Sequence, residues 1–398
     1  MKASVNASDL NRILKTASKY IDRYGLMAER LALSVHDGKF EVVVAAFSGR
    51  QTTELHQWVD AGDVYNDDFE RVPAEDGFCV VCPKDLAPIK NTAKGSEILI
   101  ESQKDTVSIT TDGFEFEVKT ACDPTEFPSS LEPGDKSELA ETLEIVSDDC
   151  GCFGYICPAL SQDDTRPAFM GAVLRDGALV ATDGHRLHYC PLSALFGTGT
   201  LIGIIAPELL RFIADGHSGT LREYRETRKR EEKEKGKTII VTETVASWHI
   251  LEAPGFIFKS RPIFGQFPDF SKVMPNYRED EVAEIEAEAL ATVVKPLYAG
   301  WKINLTVALR DCPDGVKLQC FGKPGPKSPD QPPRTAVLRD IKLPRLPVNL
   351  DPSFIMDALT GVSGAIKFCC IDADSPVWVG QYDGCRFGRG AIIMPKEL

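Results

Sequence analysis

A threefold internal repeat constrains the fold of this 398-residue chain more than any other feature of its sequence. Three turns carry Asp-Gly between apolar runs, and their glycines, Gly38, Gly177 and Gly315, are 139 and 138 residues apart. Asp-Gly between alternating apolar residues is a strong hairpin signal, because such a turn needs positive φ angles. Three hairpins with one long period predict three copies of a single domain. The boundaries are predicted near residues 135 and 278, which gives domains at 1–135, 136–278 and 279–398.

A second element recurs in each copy: a proline that opens a short helix, with a glycine just past the helix end. It occurs at Pro83 to Gly95, Pro207 to Gly216 and Pro352 to Gly361. A Phe-Pro pair also recurs after an extended run, at Phe127 and Phe267. Each copy is therefore predicted to be an α+β domain of two helices and about eight short strands, with antiparallel sheets outside and the helices grouped on one face.

Composition and charge narrow the function classes. The chain is 43% hydrophobic and 26% charged, as in ordinary globular proteins, and no run reaches the roughly 18 apolar residues that span a bilayer. The N-terminus has no apolar signal-peptide core, so we expect a cytoplasmic protein with no membrane partner. The net charge of −14 argues against nucleic acid unless the cations are gathered on one surface.

The first predicted helix, from Ser8 or Asp9 to Tyr24, gathers such cations. Its apolar residues form one face, and four basic residues spaced by three or four lie nearly opposite, within an arc of about 80°. Like charges at this spacing repel one another, so an anionic partner would compensate, although a plain solvated face is the alternative interpretation. The complete set that we expect to face DNA phosphates is Arg12, Lys15, Lys19, Arg23, Lys84, Lys90, Lys94 and Arg211.

The motifs that would indicate an enzyme fail. The glycines of 197–203 have the wrong spacing for a dinucleotide loop, and Gly236-Lys237-Thr238 lacks the upstream glycine of a P-loop. The six histidines form no HExxH pattern, and the twelve cysteines include no pair of CxxC halves at zinc-ligand spacing. We therefore predict a non-catalytic protein with no cofactor, no metal and free buried thiols. A thiol- or metal-dependent enzyme remains the competing interpretation.

The string from Val180 to Leu187 (VATDGHRL) closely resembles the ATDGHRL motif of the bacterial DNA polymerase III beta subunits, the DNA sliding clamps. Other matches follow in the order of that family, at Thr125–Pro128, Asp164–Arg166, Phe267–Pro275 and Ile392–Pro395. The resemblance therefore spans the whole chain and agrees with the threefold repeat.

The resemblance implies a head-to-tail ring, with the helices on its inner face, around double-stranded DNA of any sequence. Packed helices lie about 8–10 Å apart, so six lining helices of ~10 Å diameter would leave a hole of about 9 Å, narrower than the ~12 Å major groove. Twelve helices leave roughly 25–30 Å, so two chains are needed and a homodimer is expected. The implied partners are the replicative polymerase, the clamp loader and other proteins with a clamp-binding peptide. A clamp-like scaffold that recruits repair or phage proteins without serving a polymerase is the alternative.

The resemblance also implies a groove for partner peptides between the second and third domains, in which Phe354 forms a gate and His185 and Arg186 orient the peptide. Apolar walls would remove water from leucine or phenylalanine anchors of that peptide. Carried over one by one, the groove residues are Phe169, Thr182, Gly184, His185, Arg186, Leu187, Pro268, Lys272, Val273, Phe354, Ile392, Met394 and Pro395. The chain departs from the family after Pro395, where Lys396-Glu397 changes the charge at the groove lip, and at Ser147–Ile156, where acids and glycines replace basic residues.

Overall fold

The computed structural model shows an α+β protein and describes most of the chain. The described residues are 1–21, 30–47, 52–65, 70–92, 94–111, 113–127, 131–192, 200–201, 203–234, 237–263, 265–274, 276–301, 303–323, 332–382 and 387–396. The side chains of 230–241 are outside the description.

A similar order of elements occurs three times, although the first copy has one α-helix where the others have two and contains two additional two-residue strands. The first copy has β1 (Lys2–Asn6), α1 (Ala7–Tyr20), β2 (Leu31–His36), β3 (Lys39–Phe47), β4 (Thr52–Asp60), β5 (Val64–Tyr65), β6 (Arg71–Val72), β7 (Gly77–Val81), β8 (Glu97–Ser102), β9 (Thr106–Thr111) and β10 (Phe114–Lys119). The central copy has β11 (Glu138–Ile145), α2 (Cys150–Ile156), β12 (Val173–Arg175), β13 (Ala178–Thr182), β14 (Arg186–Pro191), α3 (Pro207–Ala214), β15 (Gly219–Glu234), β16 (Lys237–Ala253) and β17 (Phe256–Ser260). The third copy has β18 (Val282–Glu286), α4 (Ala287–Tyr298), β19 (Ile303–Cys312), β20 (Gly315–Lys323), β21 (Arg334–Arg339), β22 (Val348–Leu350), α5 (Pro352–Ala358), β23 (Ala365–Cys369), β24 (Val377–Tyr382) and β25 (Phe387–Ile393). The predicted α+β class and antiparallel pairing are confirmed.

The strands form four main sheets whose order reveals how successive copies join. The orders are β1-β8-β9-β10, then β11-β15-β16-β17-β4-β3-β2-β7, then β12-β13-β14-β25-β24-β23-β18, and β21-β20-β19-β22. The last strand of the central copy, β17, pairs with β4 of the first, and the last strand of the third copy, β25, pairs with β14 of the central one. Both joints are antiparallel and connect equivalent strands of the repeat.

The described residues divide into two compact units. One comprises 1–142 and 219–262, and the other comprises 143–218 and 263–398. Each unit contains one of the two joints. The predicted domain boundaries near 135 and 278 stay a prediction, because the strands of the central copy are divided between the two units.

The Asp-Gly turns are where the sequence signal and the backbone agree most closely. Asp37 and Gly38 have φ angles of 50° and 71°, and Asp176 and Gly177 have 48° and 79°. Positive φ at both central residues is the type I′ geometry that matches the twist of a two-residue hairpin. In the third hairpin only Gly315 has positive φ among its turn residues, at 135°.

Helix α1 differs from the prediction at both ends. It begins at Ala7 because Asn6, rather than Ser8 or Asp9, is the N-cap, and the Asn6 side chain accepts a hydrogen bond from the Ser8 backbone N–H. It ends at Tyr20, because Ile21 adopts an extended backbone, and so the predicted continuation to Tyr24 is wrong. Of the apolar face predicted from the helical period, Leu10, Ile13 and Ala17 are buried, whereas Leu14 and Ile21 are half-buried. Ala7 and Tyr20 complete the buried face.

The predicted second helix of the first copy is also wrong in type. Pro83 begins a turn, followed by a 3-10 helix at Ala87–Asn91. Pro88 explains the difference, because its ring removes one backbone N–H and clashes with the carbonyl four residues earlier in an α-helix. The turn is instead stabilised by backbone hydrogen bonds between residues three apart, such as the one from the Ile89 N–H to the Leu86 carbonyl, at 3.1 Å. The other two proline-opened helices, α3 and α5, form as predicted.

Most of the charged run at 224–237 lies on the paired strands β15 and β16, whereas the predicted tip at 235–236 lies outside the described residues. The strands pair from Thr220 opposite Glu252 to Glu234 opposite Lys237, with a bulge after Glu226. The Pro/Gly-rich run at 322–334 falls largely outside the described residues. Among the helices that are described, none is long and apolar enough to cross a membrane.

Candidate functional site

A cavity of about 200 Å³ lies in the unit formed by 143–218 and 263–398, beside the β14–β25 joint. The turn between β13 and β14, the segment after Phe267 and the end of β25 each contribute to its wall. Its lining is Phe169, Thr182, Gly184, Arg186, Leu187, Pro268, Asp269, Phe270, Val273, Ile392 and Met394. The structure thus brings together nine of the predicted groove residues.

The turn at one wall is held by its own polar side chains. Thr182 Oγ1 donates to the Arg186 carbonyl at 2.6 Å and accepts from the Gly184 N–H at 3.1 Å. Asp183 Oδ1 accepts from the N–H groups of His185 and Arg186 at 2.9 and 3.0 Å. Gly184 has φ of +92°, and a Cβ there would lie 3.2 Å from the Arg166 guanidinium. Thr182, Asp183 and Gly184 of the VATDGHRL string are therefore the residues that give this turn its shape.

Arg186 links this turn to helix α5 and to the segment that contains Pro158. Its guanidinium donates to Asp183 Oδ2 at 3.3 Å, to Asp357 of α5 and to the Pro158 carbonyl. It also lies 4.2 Å from the centre of the Phe354 ring, an arrangement that favours a cation. The side chain is only 11% exposed, and its donors point into the protein. Arg186 therefore lines the cavity and also holds the turn in place, while its expected role in orienting a bound peptide stays a prediction.

The apolar walls come from both strands of the joint and from the loop opposite. Leu187 and Ile392 are paired across β14 and β25 and are almost completely buried. Val273 and Met394 are unusual because they are 40% and 37% exposed, although both are large and apolar. Exposed apolar side chains that converge on one cavity are typical of a site that binds an apolar anchor.

Four predicted groove residues lie outside the cavity lining. His185 is exposed, and its carbonyl accepts from the Met394 N–H at 2.9 Å. Lys272 is exposed and 3.5 Å from Asp269, Phe354 lies under Arg186, and Pro395 is half-buried beyond Met394.

Two lining residues, Asp269 and Phe270, were missed. Asp269 caps the short turn at 270–272 by accepting from the Ser271 N–H at 3.3 Å and the Ser271 hydroxyl at 2.6 Å. Both lie within the 267–275 string that matched the family, so the signal was present in the sequence.

The C-terminal Lys396 turns away from the cavity. Its ammonium donates to Asp351, the N-cap of α5, at 2.9 Å and to the Leu305 carbonyl at 2.8 Å. Its charge is therefore directed toward the α5 N-terminus. Glu397 lies outside the described residues.

The predicted phosphate-facing cations that the structure describes are on exposed surfaces. On α1 these are Arg12, Lys15 and Lys19. Arg12 also donates to Asp9 at 3.0 Å, a pairing that lowers the net charge of this face. The turn and 3-10 helix of the first copy present Lys84, Lys90 and Lys94, and α3 presents Arg211. Arg23 lies outside the described residues.

Within the described part of the chain, no three His, Cys, Asp or Glu side chains gather as metal ligands. The cysteines it covers, which include Cys79, Cys82, Cys150 and Cys152, are free thiols. Burial raises the pKa of the Cys79 thiol to about 12, as in an inert core residue.

Comparison with known proteins gives one kind of relative. No family model matches the sequence. The beta sliding clamp of Pseudomonas aeruginosa is 25% identical over 259 residues, which are 60% of this chain and 61% of that protein. The chain thus spans less than two thirds of the length of this curated relative.

Solved structures match over their full length. A sliding clamp (DNA polymerase III subunit beta) from Bartonella birtlesii has a TM-score of 0.75 at 17% identity, and the P. aeruginosa clamp bound to griselimycin has 0.73 at 18%. The Helicobacter pylori beta clamp bound to a DNA ligase peptide has 0.71 at 18%. In each case 100% of both chains is covered. This chain therefore has the three-domain fold of the bacterial beta sliding clamps, as predicted.

Arg186→Lys tests the fastening of the turn. Lysine keeps the charge but loses the planar fork that reaches Asp183, Asp357 and Pro158 together, so we expect a loss of about 1.5–3 kcal/mol in the free energy of unfolding. Denaturant titration measures it. Arg166→Lys is the matched control, because Arg166 is 48% exposed in a surface pair with Asp163 and should change stability by less than about 1 kcal/mol. Equal losses in both variants would contradict this role.

Proposed function

We propose that this chain is a DNA sliding clamp, a non-catalytic ring subunit that encircles duplex DNA and tethers the replicative polymerase. The observation that carries the proposal is the full-length clamp fold, together with the apolar cavity formed where the ATDGHRL-like string lies. Such a protein would work in the cytoplasm, with a separate loader to open the ring.

The cavity supports a partner that inserts a short peptide. Leu187, Ile392, Val273 and Met394 offer apolar walls at a depth suited to one leucine or phenylalanine side chain. A related clamp, that of H. pylori, has been solved with a DNA ligase peptide. We infer the same class of ligand here: linear peptides of polymerase, clamp loader and repair proteins.

The sheet order supports a head-to-tail homodimer. Two of the three equivalent joints form within the chain, at β17–β4 and at β25–β14. The strands that remain are β10 of the first copy and β21 of the third, and each is an edge of its four-stranded sheet among the described strands. Pairing β10 of one chain with β21 of a partner would complete the pattern, and two such contacts close a ring by rotation.

The two edges are complementary in charge. The exposed residues of β10 are Glu115, Glu117 and Lys119, a net acidic set, and those of β21 are Thr335, Val337 and Arg339, a net basic set. Opposite charges on facing strands favour the heterologous contact and disfavour pairing of either edge with itself. Six copies of the repeat would then surround the DNA.

The exposed cations of the first copy supply the attraction to DNA. Phosphate contacts by lysine and arginine carry no sequence information, which suits a protein that must move along the duplex. The chain as a whole has a net charge of −14, so the surface outside these cations is acidic and would discourage DNA from binding there.

Val273→Asp tests the peptide site. A carboxylate placed against an apolar anchor costs about 1–3 kcal/mol, so the Kd of a labelled clamp-binding peptide should rise roughly tenfold to a hundredfold. Fluorescence anisotropy measures the affinity. Val245→Asp is the matched control, because Val245 is equally exposed, at 41%, but lies on the β16 bulge. Unchanged peptide affinity in Val273→Asp would count against this site.

Reversing the acidic edge tests the ring. The double change Glu115→Arg and Glu117→Arg places like charges opposite β21, and a cost of about 1.4 kcal/mol or more raises the dimer Kd at least tenfold. Light scattering at several concentrations gives the mass. The control is Glu284→Arg with Glu286→Arg on β18. These two residues have the same spacing on an edge strand, and the equivalent strands of the other copies, β1 and β11, take no part in the joints between copies. A dimer that survives the first change as well as the second would refute this interface.

Reversing Lys15 and Lys19 to Glu tests the DNA-facing surface. Loss of two phosphate contacts should shorten retention on circular DNA. It should also reduce, by about two, the slope of the logarithm of the DNA-binding constant against the logarithm of the salt concentration. Gel filtration of clamp loaded on a nicked plasmid measures retention. The control is Lys104→Glu with Lys317→Glu, which changes the net charge equally. Lys317 is exposed on β20 between the buried Val316 and Leu318.

A polymerase extension assay on the same template separates a processivity clamp from a scaffold, since only the former lengthens the products.

A further inference from the structure

A second cavity, of about 420 Å³, lies in the same unit as the candidate groove and shares no lining residue with it. Its wall is polar and includes Asp148, Asp149, Cys152, Cys190 and Arg389. None of these has a part in the proposed binding of peptide or DNA. The combination of two thiols and a guanidinium at one cavity distinguishes this site from the other cysteines.

The two thiols come from different elements and meet at the cavity. Cys152 lies on α2 and Cys190 on β14, and both are buried side chains that line the cavity. Their sulfurs lie 3.7 and 3.9 Å from the same Pro191 carbonyl oxygen. The two thiols therefore approach one carbonyl oxygen although they are far apart in sequence, and such proximity is what a disulfide requires.

Arg389 gives one thiol of the pair its reactivity. Its Nη2 donates to Cys152 Sγ at 3.3 Å, its Nη1 donates to the Gly361 carbonyl at 3.2 Å, and its guanidinium lies 5.6 Å from the Tyr155 ring centre. The hydrogen bond from Cys190 and the Arg389 guanidinium lower the pKa of Cys152, against burial and the nearby Asp149 carboxylate. The hydrogen-bonding interaction with Cys152, together with burial, raises the pKa of Cys190. Of the two thiols, Cys152 is therefore the one that loses its proton more readily.

Neighbouring thiols lack this environment. Burial raises the pKa of Cys157, one turn further along, and its Sγ lies 3.1 Å from the Phe153 carbonyl. Burial also raises the pKa of Cys320 to about 11 and that of Cys369 to about 12. Low-pKa thiolates beside a cation, with a second thiol in contact, are the ones that oxidants reach first.

We propose that Cys152 and Cys190 form a peroxide-reactive thiol pair that closes reversibly to a disulfide. The Cys152 thiolate attacks one peroxide oxygen, the O–O bond breaks, and sulfenic acid and hydroxide form, the latter taking a proton to give water. The Cys190 sulfur then attacks the sulfenic sulfur, the S–S bond forms, and hydroxide leaves with the Cys190 proton as a second water. Hydrogen peroxide is reduced, the two thiols are oxidised, and a dithiol reductant reverses the change.

The site adjoins the β14–β25 joint. Tyr189, the residue before Cys190, pairs with Gly390, the residue after Arg389. Oxidation removes the thiolate that faces the Arg389 guanidinium and ties α2 covalently to β14. The oxidation state of the pair would thus alter the charge balance at a contact between two copies of the repeat.

Mass spectrometry of the full-length reduced protein, treated with hydrogen peroxide and mapped without reduction, tests the pair. We expect a loss of two hydrogens and a linked peptide pair containing Cys152 and Cys190. In Cys190→Ser the sulfenic acid on Cys152 should persist and be trapped by dimedone, whereas Cys152→Ser should show neither product. Cys157→Ser is the matched control and should oxidise like the parent chain. First oxidation at another cysteine of the parent chain would overturn the proposal, whatever the variants do.

The role of Arg389 is tested by the rate of iodoacetamide labelling at Cys152. When the pKa of a thiol falls by one unit, the thiolate fraction rises up to tenfold, but the thiolate becomes about threefold less nucleophilic at a Brønsted slope of about 0.45. The net gain in rate is therefore about threefold, and Arg389→Gln should slow labelling about threefold or more. Arg389→Lys retains a cation and should recover part of that rate. The rate should rise with pH to a plateau, at lower pH in the parent chain than in Arg389→Gln, where Asp148, Asp149 and Tyr155 still surround the thiol. Identical pH profiles in all three proteins would overturn the role of Arg389.

Discussion

Edge-to-edge pairing of antiparallel strands connects successive copies of the repeat. A strand at the edge of a sheet exposes backbone N–H and C=O groups that will pair with any suitable strand. In this chain β17 covers β4, and β25 covers β14, so two pairs of edges are covered by neighbouring copies. Both joints use the same two positions of the repeat, and among the described strands those two positions are unpaired at β10 and β21. A repeat joined by one such rule can end only in a filament or in a closed ring.

The candidate peptide cavity is a consequence of the second joint. Leu187 and Ile392 face the cavity side by side because β14 and β25 pair there, and the bond from the Met394 N–H to the His185 carbonyl extends that pairing past the strand end. Arg186 then fixes the turn from below through Asp357 and Phe354 of α5. The arginine of the motif thus stabilises the shape of the cavity wall, whereas the exposed His185 contributes its backbone carbonyl. Specificity for a ligand would come from the exposed apolar residues around them.

The sequence predicted the parts of this fold that depend on strictly local chemistry. Asp-Gly turns require positive φ, and the helix period defined the buried face of α1, so both could be predicted without tertiary information. The start of α1 was missed because several neighbouring polar residues can serve as N-cap with similar energies. The 3-10 turn after Pro83 was missed because the internal Pro88, which blocks an α-helix, was given too little weight. The cavity required the family resemblance, since residues near 182, 268 and 392 meet only through the strand pairing.

The distribution of charge fits a protein that is held on DNA by closure. The predicted phosphate-facing cations are few, and Arg12 is already paired with Asp9. Helix α2 (CGCFGYI) has no basic residue, and Arg211 is the one in α3. Exposed ion pairs are weak and are screened by salt, so such a surface would hold an open molecule on DNA only briefly. A closed ring does not need strong attraction, and strong attraction would slow its movement along the duplex. In the proposed ring, residence on DNA therefore depends chiefly on how well β10 pairs with β21 of the partner, and the lysines set how easily the ring slides.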